Sequence, residues 1–287
     1  MDDQQFRQLL NLFGFSWIGY RKVRKGVKKR VNRHMKELGC RNMAAYLVEL
    51  EKEDEARQHC ELLLTVSISR FFRDREFWIT LEKKLLPELI RKKRTRIKVW
   101  SAGCACGDEV YSFKIVWDCL QKSFAHVPVL EIIATDINPV YIDRARAGIY
   151  SPSSLKEVKE EFQFIYFKRK AGKKLYEVKA SFGRDISWKI HHLLSDPPGS
   201  GFDIIFLRNN VLTYYENRLK GEAFKKVLNS LAPNGLLIIG SHEELPFEKA
   251  GLTGVAPHSF VFRKEKKLRY AKKSFYGSSR VREIHTH

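Results

Sequence analysis

The sequence has no apolar run long enough to span a bilayer and no CxxC pair, and it has no Asp or Glu anywhere between Arg21 and Lys36. Each absence excludes something. Without about 20 consecutive apolar residues no membrane insertion is expected. The opening MDDQQFRQLL is acidic and polar where a secretory leader would be basic and then apolar, so a cytoplasmic location is expected. The five cysteines (Cys40, Cys60, Cys104, Cys106 and Cys119) are sparse and odd in number, which fits reduced thiols better than a disulfide framework. Cys104 and Cys106 have no nearby His or further Cys, so no metal site is expected. No GxGxxG and no glycine loop ending in Lys-Ser/Thr occurs, which argues against a dinucleotide or nucleoside triphosphate. No internal repeat is visible.

What is present is a folded chain with a strong charge bias. Hydrophobic residues make up 44% and charged residues 30% of 287, enough for one sizeable core and a smaller second domain. Lys and Arg number 53 against 33 acids, a formal charge of +20. Such a surface attracts polyanions, whether nucleic acid, anionic membrane or an acidic protein. Position has to choose among them.

The first segment, to about Leu64, reads as helical, with few turn signals and no strand-like alternation. Within it Val23, Val27, Val31, Met35 and Leu38 fall on one helix stripe, and the residues between them are basic. A solubilising face usually interleaves acids, because like charges one turn apart repel. A cationic docking helix over residues 21–36 is therefore expected, with Lys28, Lys29 and Arg33 as substrate-binding residues.

From Arg96 the pattern changes to short apolar runs separated by helical stretches. Residues 97–100, 130–135, 202–207 and 236–239 read as buried strands of a mostly parallel sheet with helices on both faces. Residues 151–190, with Tyr176, Val178, Ile186, Trp188 and Ile190 in period-two fragments, read as a small antiparallel insertion leading back to a core strand. The segment after Arg263 is rich in Lys and Arg with little apolar periodicity and reads as a basic tail.

The first strand runs into SAGCACGDEVYS, where Gly103 and Gly107 supply a tight turn, and the second ends in ATDIN, which puts Asp136 at its carboxyl end. In a doubly wound sheet ligands bind beyond those ends, and an acid there accepts hydrogen bonds from ribose hydroxyls. Alone, Asp136 could equally cap the helix starting at Pro139. Together with the glycine turn, and without a pyrophosphate loop, it suits a nucleoside such as S-adenosylmethionine.

These segments resemble the CheR chemoreceptor methyltransferases. SISRFFRD (67–74) stands where that family has Thr/Ser-x-Phe-Phe-Arg, WSAGCACGDEVYS (100–112) where it has W-S-A-G-C-S-T-G-E-E-P-Y-S, and ATDIN with ARAGIY (145–150) where it has A-T-D-I and A-R-x-G-x-Y. HHLL (191–194), FDIIFLRNNVLTYY (202–215) and LAPNGLLIIGSHEEL (231–245) continue the match in family order. The resemblance implies a Rossmann-like class I methyltransferase domain (65–265) of α/β class, with a β insertion at 151–190, an all-α docking domain before it (1–64) and a basic tail after it (266–287).

It also implies a chemistry. The cofactor would be S-adenosylmethionine, released as S-adenosylhomocysteine, and the reaction methyl esterification of glutamates on an acidic helical protein, a chemoreceptor cytoplasmic domain. The enzyme would act as a monomer. By position, Ser67, Ser69 and Arg73 fall on the linker that contacts the cofactor, Gly103 and Asp108 on its loop, and Asp136 at the ribose. His192 and Leu193 fall near the adenine, and Arg208, Asn209 and Asn210 at the end of the strand beginning at Phe202. Arg73 and Tyr214 would be catalytic, although RNNVLTYY is one residue longer than the family's RNVLIYF, which leaves Thr213 as the alternative.

The departures from the family pattern are Ala105, Cys106, Asp108, Val110 and His192. They leave open an impaired cofactor-binding module. A nucleic-acid methyltransferase is the other alternative, but its Asp-Pro-Pro signature would here be Asp196-Pro197-Pro198, in a loop that precedes a core strand. Such a position cannot grip a base at the carboxyl edge.

Overall fold

A computed structural model of the chain describes residues 1–92, 95–172, 174–247 and 251–266. The basic tail expected at 266–287 lies, beyond Lys266, outside the described residues. Four helices come first: α1 (Asp3–Leu12), α2 (Arg24–Glu37), α3 (Met43–Lys52) and α4 (Asp54–Leu64). Asp2 and Gln5 close a reciprocal capping box at the start of α1, and Asn42 caps α3. Their apolar stripes meet around Phe6, Tyr20, Val31, Tyr46 and Leu64, all at most 1% exposed.

The cationic helix begins three residues later than expected, at Arg24, because residues 16–23 form an irregular turn. That turn buries Tyr20, whose hydroxyl donates to the carbonyl of Leu64 at 2.9 Å. Nor is the helix unrelieved. Asp3, on α1, pairs with Lys28 at 2.5 Å and with Arg24 at 3.5 Å, and Arg30 donates to the carbonyls of Leu63 and Thr65 at 3.0 and 2.9 Å. Lys29 and Arg33 remain exposed.

After the linker comes a broken helix, α5 (Arg75–Thr80), a π-turn (Leu81–Leu85) and α6 (Leu86–Lys92), and then the alternating part. In chain order it comprises β1 (Arg96–Ala102), α7 (Asp108–Gln121), β2 (Val129–Asp136), α8 (Pro139–Ala147), β3 (Ile149–Tyr150), α9 (Glu160–Tyr166), β4 (Phe167–Arg169), β5 (Tyr176–Val178) and β6 (Ile186–Ile190). It continues with β7 (Phe202–Leu207), α10 (Val211–Tyr214), α11 (Asn217–Ser230), β8 (Leu231–Ile239), β9 (Leu252–Val255) and β10 (His258–Lys264).

The main sheet runs β6-β2-β1-β7-β8-β10-β9. Five strands are parallel, and β10 is antiparallel to both neighbours. These are the strand order and directions expected of the Rossmann-like α/β domain that the resemblance implies. Parallel central strands covered on both faces must be apolar throughout, and all six residues of β7 are buried. The insertion is a three-stranded sheet, β3-β5-β4, that starts at Ile149, while Ile186–Ile190 joins the main sheet beside β2. The closing hairpin β9–β10 lies within the expected methyltransferase domain but matches no strand read from the sequence, and Lys264 donates to the carbonyls of Leu228 and Leu231.

The chain adds β2 and β6 on one side of β1 and then crosses to place β7 on the other. That reversal between β1 and β7 opens a crevice at their carboxyl ends, where doubly wound folds bind ligands.

Candidate active site

A cleft of about 950 Å³ occupies this crevice. Gly103 and Ala105 follow β1, Asp136 ends β2, and Asn209 and Asn210 follow β7. The fourth wall is the linker, with Ser69 and Arg73, and the outer rim is the 16–23 turn.

The floor is built by backbone geometry. The N–H groups of Gly103 and Cys104 both donate to the carbonyl of Thr135 at 2.8 Å, which folds the loop over the end of β2. Gly103 has φ +82°, and a Cβ there would lie 2.3 Å from Asn210 Nδ2, so only glycine lets the two loops meet. Asn210 holds the far side, donating to the carbonyl of Ala102 and accepting from Val211 N–H at 2.5 Å. Ala105 and Asn209 also adopt left-handed φ, +48° and +55°. Non-glycine residues in that region carry strain that the surrounding contacts must hold, as happens at functional sites.

Asp136 accepts the Ala105 N–H on one carboxylate oxygen at 3.0 Å and the Asn138 N–H on the other at 2.9 Å. Asn138, not Asp136, caps α8. Burial raises the Asp136 pKa and these N–H groups oppose it. Each oxygen keeps a lone pair for a further donor, as a ribose would require.

Arg208 has a side chain only 4% exposed; it pairs with Asp74 and, at 3.2 Å, with Glu109, and its guanidinium lies over Phe77. It braces the floor more than it faces the cleft. Arg73 is the freer cation. Its guanidinium donates to the carbonyl of Ile68 at 3.1 Å and to Asn209 Oδ1 at 3.3 Å. Glu243 organises the β7 and β8 ends, accepting from the N–H groups of Asn209 and Gly240 at 2.8 and 2.7 Å and from the Thr213 hydroxyl at 2.5 Å.

The front helices are stapled to this site. Phe15 and Tyr215 form an isolated β-bridge, and the Ser16 N–H donates to the carbonyl of Tyr214 at 2.7 Å. A Cβ on Gly19 would meet the Thr213 carbonyl oxygen at 2.2 Å, so the backbones touch. Tyr214 lines the cleft edge-on to Tyr20, centroids 5.1 Å apart, and burial raises its pKa. Thr213 also lines the cleft, but its hydroxyl is committed to Glu243.

The cleft thus brings together Ser69, Arg73, Gly103, Asp136, Arg208, Asn209, Asn210 and Tyr214. Ser67 lies outside the lining and contacts Cys106 Sγ at 3.6 Å. Asp108 sits beneath it, 2% exposed, with Oδ1 unpartnered among the described residues, and burial pushes its pKa up to about 6 while the Ser69 hydroxyl pulls it down. His192 lies beside the cleft, where Nδ1 accepts the Leu194 N–H at 3.0 Å, so Nε2 bears the proton toward Glu61 at 3.3 Å. Leu193 packs into the apolar cluster around Trp100. Lys28, Lys29 and Arg33 do not line the cleft; Arg21, Lys22, Arg70 and Lys220 do. Among the described residues no cluster of His, Cys, Asp or Glu suits a metal, and no helix is long and apolar enough to cross a membrane.

Residues 67–259 match the family of the CheR methyltransferase, SAM binding domain. The chain belongs to the CheR methyltransferase family. It is an S-adenosylmethionine-dependent methyltransferase, and the CheR-type sequence is similar to the chemotaxis protein methyltransferase of Listeria monocytogenes, at 34% identity over 183 residues, covering 64% of this chain and 67% of that one. Chemotaxis protein methyltransferase 1 of Vibrio cholerae is 35% identical over 185 residues, covering 63% and 66% of the two chains. A probable chemotaxis protein methyltransferase of Rhizobium etli is 30% identical over 241 residues, 82% and 87% of the chains.

The CheR cofactor fits the residues present. An unpartnered buried carboxylate oxygen on Asp108, lone pairs on Asp136 and a glycine cradle at Gly103 favour a nucleoside ligand carrying positive charge. Sequence reasoning missed Glu109, Asp74 and Glu243. Glu243 carried a signal, since it falls in the GSHEEL stretch that matches the family, but the resemblance attaches no role to it. Asp74 and Glu109 become visible only through their pairing with Arg208.

Proposed function

We propose that this methyltransferase esterifies glutamate side chains on an acidic helical protein, a chemoreceptor cytoplasmic segment, and that Ser69, Arg73, Gly103, Asp136, Asn209, Asn210 and Tyr214 face the cofactor and the acceptor. The observation that carries the reading is the charge of the rim: Arg21, Lys22 and Lys220 line an opening that has Arg73 inside it, with Arg70 paired to Glu157 and Glu244 as an exposed acid on the same lining. Bound S-adenosylmethionine supplies an electrophilic methyl on a sulfonium. A glutamate carboxylate is already ionised at neutral pH, so the acceptor needs no general base. Alignment is what remains for the protein to provide. Arg73, held by Ile68 and Asn209, would receive the carboxylate through its remaining N–H groups, and Tyr214, edge-on to Tyr20, would limit its approach. The names of the chemotaxis relatives support the same acceptor class. The 1–64 helices would then serve as the docking unit of a cytoplasmic monomer.

The direct test is transfer of labelled methyl from the cofactor to an acidic helical receptor fragment, to RNA and to buffer. Base-labile label on the protein, mapped to glutamate by mass spectrometry, is expected; stable label on RNA would sink the reading. Three variants sharpen it. Asp136→Ala is expected to weaken both cofactor and demethylated product by about 1–3 kcal/mol in calorimetry, through lost charge-assisted hydrogen bonds. Arg21→Glu with Lys22→Glu is expected to raise the apparent substrate constant and flatten its salt dependence. Lys29→Glu with Arg33→Glu should do so more weakly, because contributions from charges off the rim are screened over about 10 Å at 0.1 M salt.

A further inference from the structure

The rim is not only cationic. Ile18 is 81% exposed and Ile68 65% exposed, and both line the cleft together with Phe247, 37% exposed. Exposed apolar side chains scattered singly are ordinary, but several around one opening mark a binding surface.

The two isoleucines stand on fixed backbone. The carbonyl of Ile18 accepts the Arg21 N–H at 3.2 Å, in a turn clamped by the Ser16 hydrogen bond to Tyr214 and by the Gly19 contact with Thr213. Trp17, the preceding residue, is held between Arg7 and Arg24, at 4.3 and 4.9 Å from its ring. The carbonyl of Ile68 accepts from Arg73, at 3.1 Å. Ile18 therefore sits on the segment that places Arg21 on the rim, and Ile68 on the segment that places Arg73 inside it. An acidic helix offers the complement, because residues three or four positions apart share a face and can present a carboxylate and an apolar group together. A phosphate backbone has nothing apolar to bury against the isoleucines.

We infer that Ile18 and Ile68 form an apolar lip that reads the side chain one helical turn from the acceptor glutamate, so that the enzyme selects amphipathic acidic helices over equally acidic polar ones. The inference rests on the glutamate-methylation reading and adds a specificity element to it. Covering one isoleucine with an aliphatic partner removes enough apolar surface from water for about a tenfold preference in kcat/KM.

The experiment compares two synthetic helical peptides of equal charge, one with Leu and one with Ser four residues from the acceptor Glu, using the full chain and its Ile18→Ser/Ile68→Ser double variant. The wild type is expected to prefer the Leu peptide about tenfold and the variant to treat the two within about twofold. Cofactor affinity and melting temperature should be unchanged, showing an intact fold. A preference that persists in the variant, or a wild type with none, overturns the lip while leaving glutamate methylation standing. A wild type that methylates neither peptide, or for which an RNA of equal charge is the better acceptor, overturns the underlying reading and the lip with it.

Discussion

Replacing Arg208 by methionine is expected to remove about 3–5 kcal/mol of folding stability, the range for breaking a buried ion pair from one side. Its side chain is 4% exposed and lies between Asp74 and Glu109, whose side chains are 26% and 15% exposed. The methionine fills the space over Phe77 but leaves two carboxylates without their ion-pair partner, Glu109 keeping only the weaker influence of Arg73. Burial already holds the Glu109 pKa above its ordinary 4.5, with Arg208 the largest opposing influence. Removing Arg208 raises it further, so the folded variant binds more protons than its unfolded chain, and the loss grows as pH rises above about 4.5. Urea unfolding at pH 5 and pH 8 reads this as a midpoint gap that widens with pH at constant m-value. Adding Glu109→Gln should restore part of the stability. A variant as stable as wild type at pH 8 would show that the guanidinium is not paired as described.

Asp108 should move stability and binding in opposite directions. Its carboxyl is raised from 3.8 to about 6 by burial, and one oxygen has no partner among the described residues. A raised acid is protonated in the folded state where the unfolded chain has already lost the proton, so its contribution falls as pH climbs from about 4 to about 6 and stays unfavourable above. Asp108→Asn is therefore expected to stabilise the cofactor-free protein by up to about 3 kcal/mol at pH 8 and by little at pH 4. The same change removes a negative charge beneath a site for a cationic ligand. Cofactor affinity should drop about tenfold, the effect of about 1.4 kcal/mol. Thermal melts across pH and calorimetry check the two halves separately. Unchanged stability at pH 8 would remove burial as the cause, and unchanged affinity would remove Asp108 from the cofactor's surroundings.

The contrast between these residues and the cationic helix indicates what kind of information a chain carries. Gly103 and Asp136 were legible because both lie next to the strand ends that place them. The basic residues at the mouth were not. A helix periodicity over 21–36 selected Lys28, Lys29 and Arg33, whereas Arg21 and Lys22 reach the cleft from a turn that has no period. Asp3, whose pairing with Lys28 and Arg24 relieves the apparently acid-free face, comes from a different helix. Pairings across elements leave no trace in local spacing.

By itself the sequence determined the apolar core strands, though not the β9–β10 hairpin, together with the glycine loop, the acid ending β2 and the resemblance to a family, because these depend on periodicity and on residues close together in the chain. Tertiary structure alone decided that Arg208 braces the floor, that Asp108 is buried under Ser69, that Glu243 ties β7 to β8, and that Gly19 presses the front helices onto Thr213. Those assignments depend on desolvation and on contacts between residues far apart in sequence, and neither exists until the sheet has brought the strand ends to one edge.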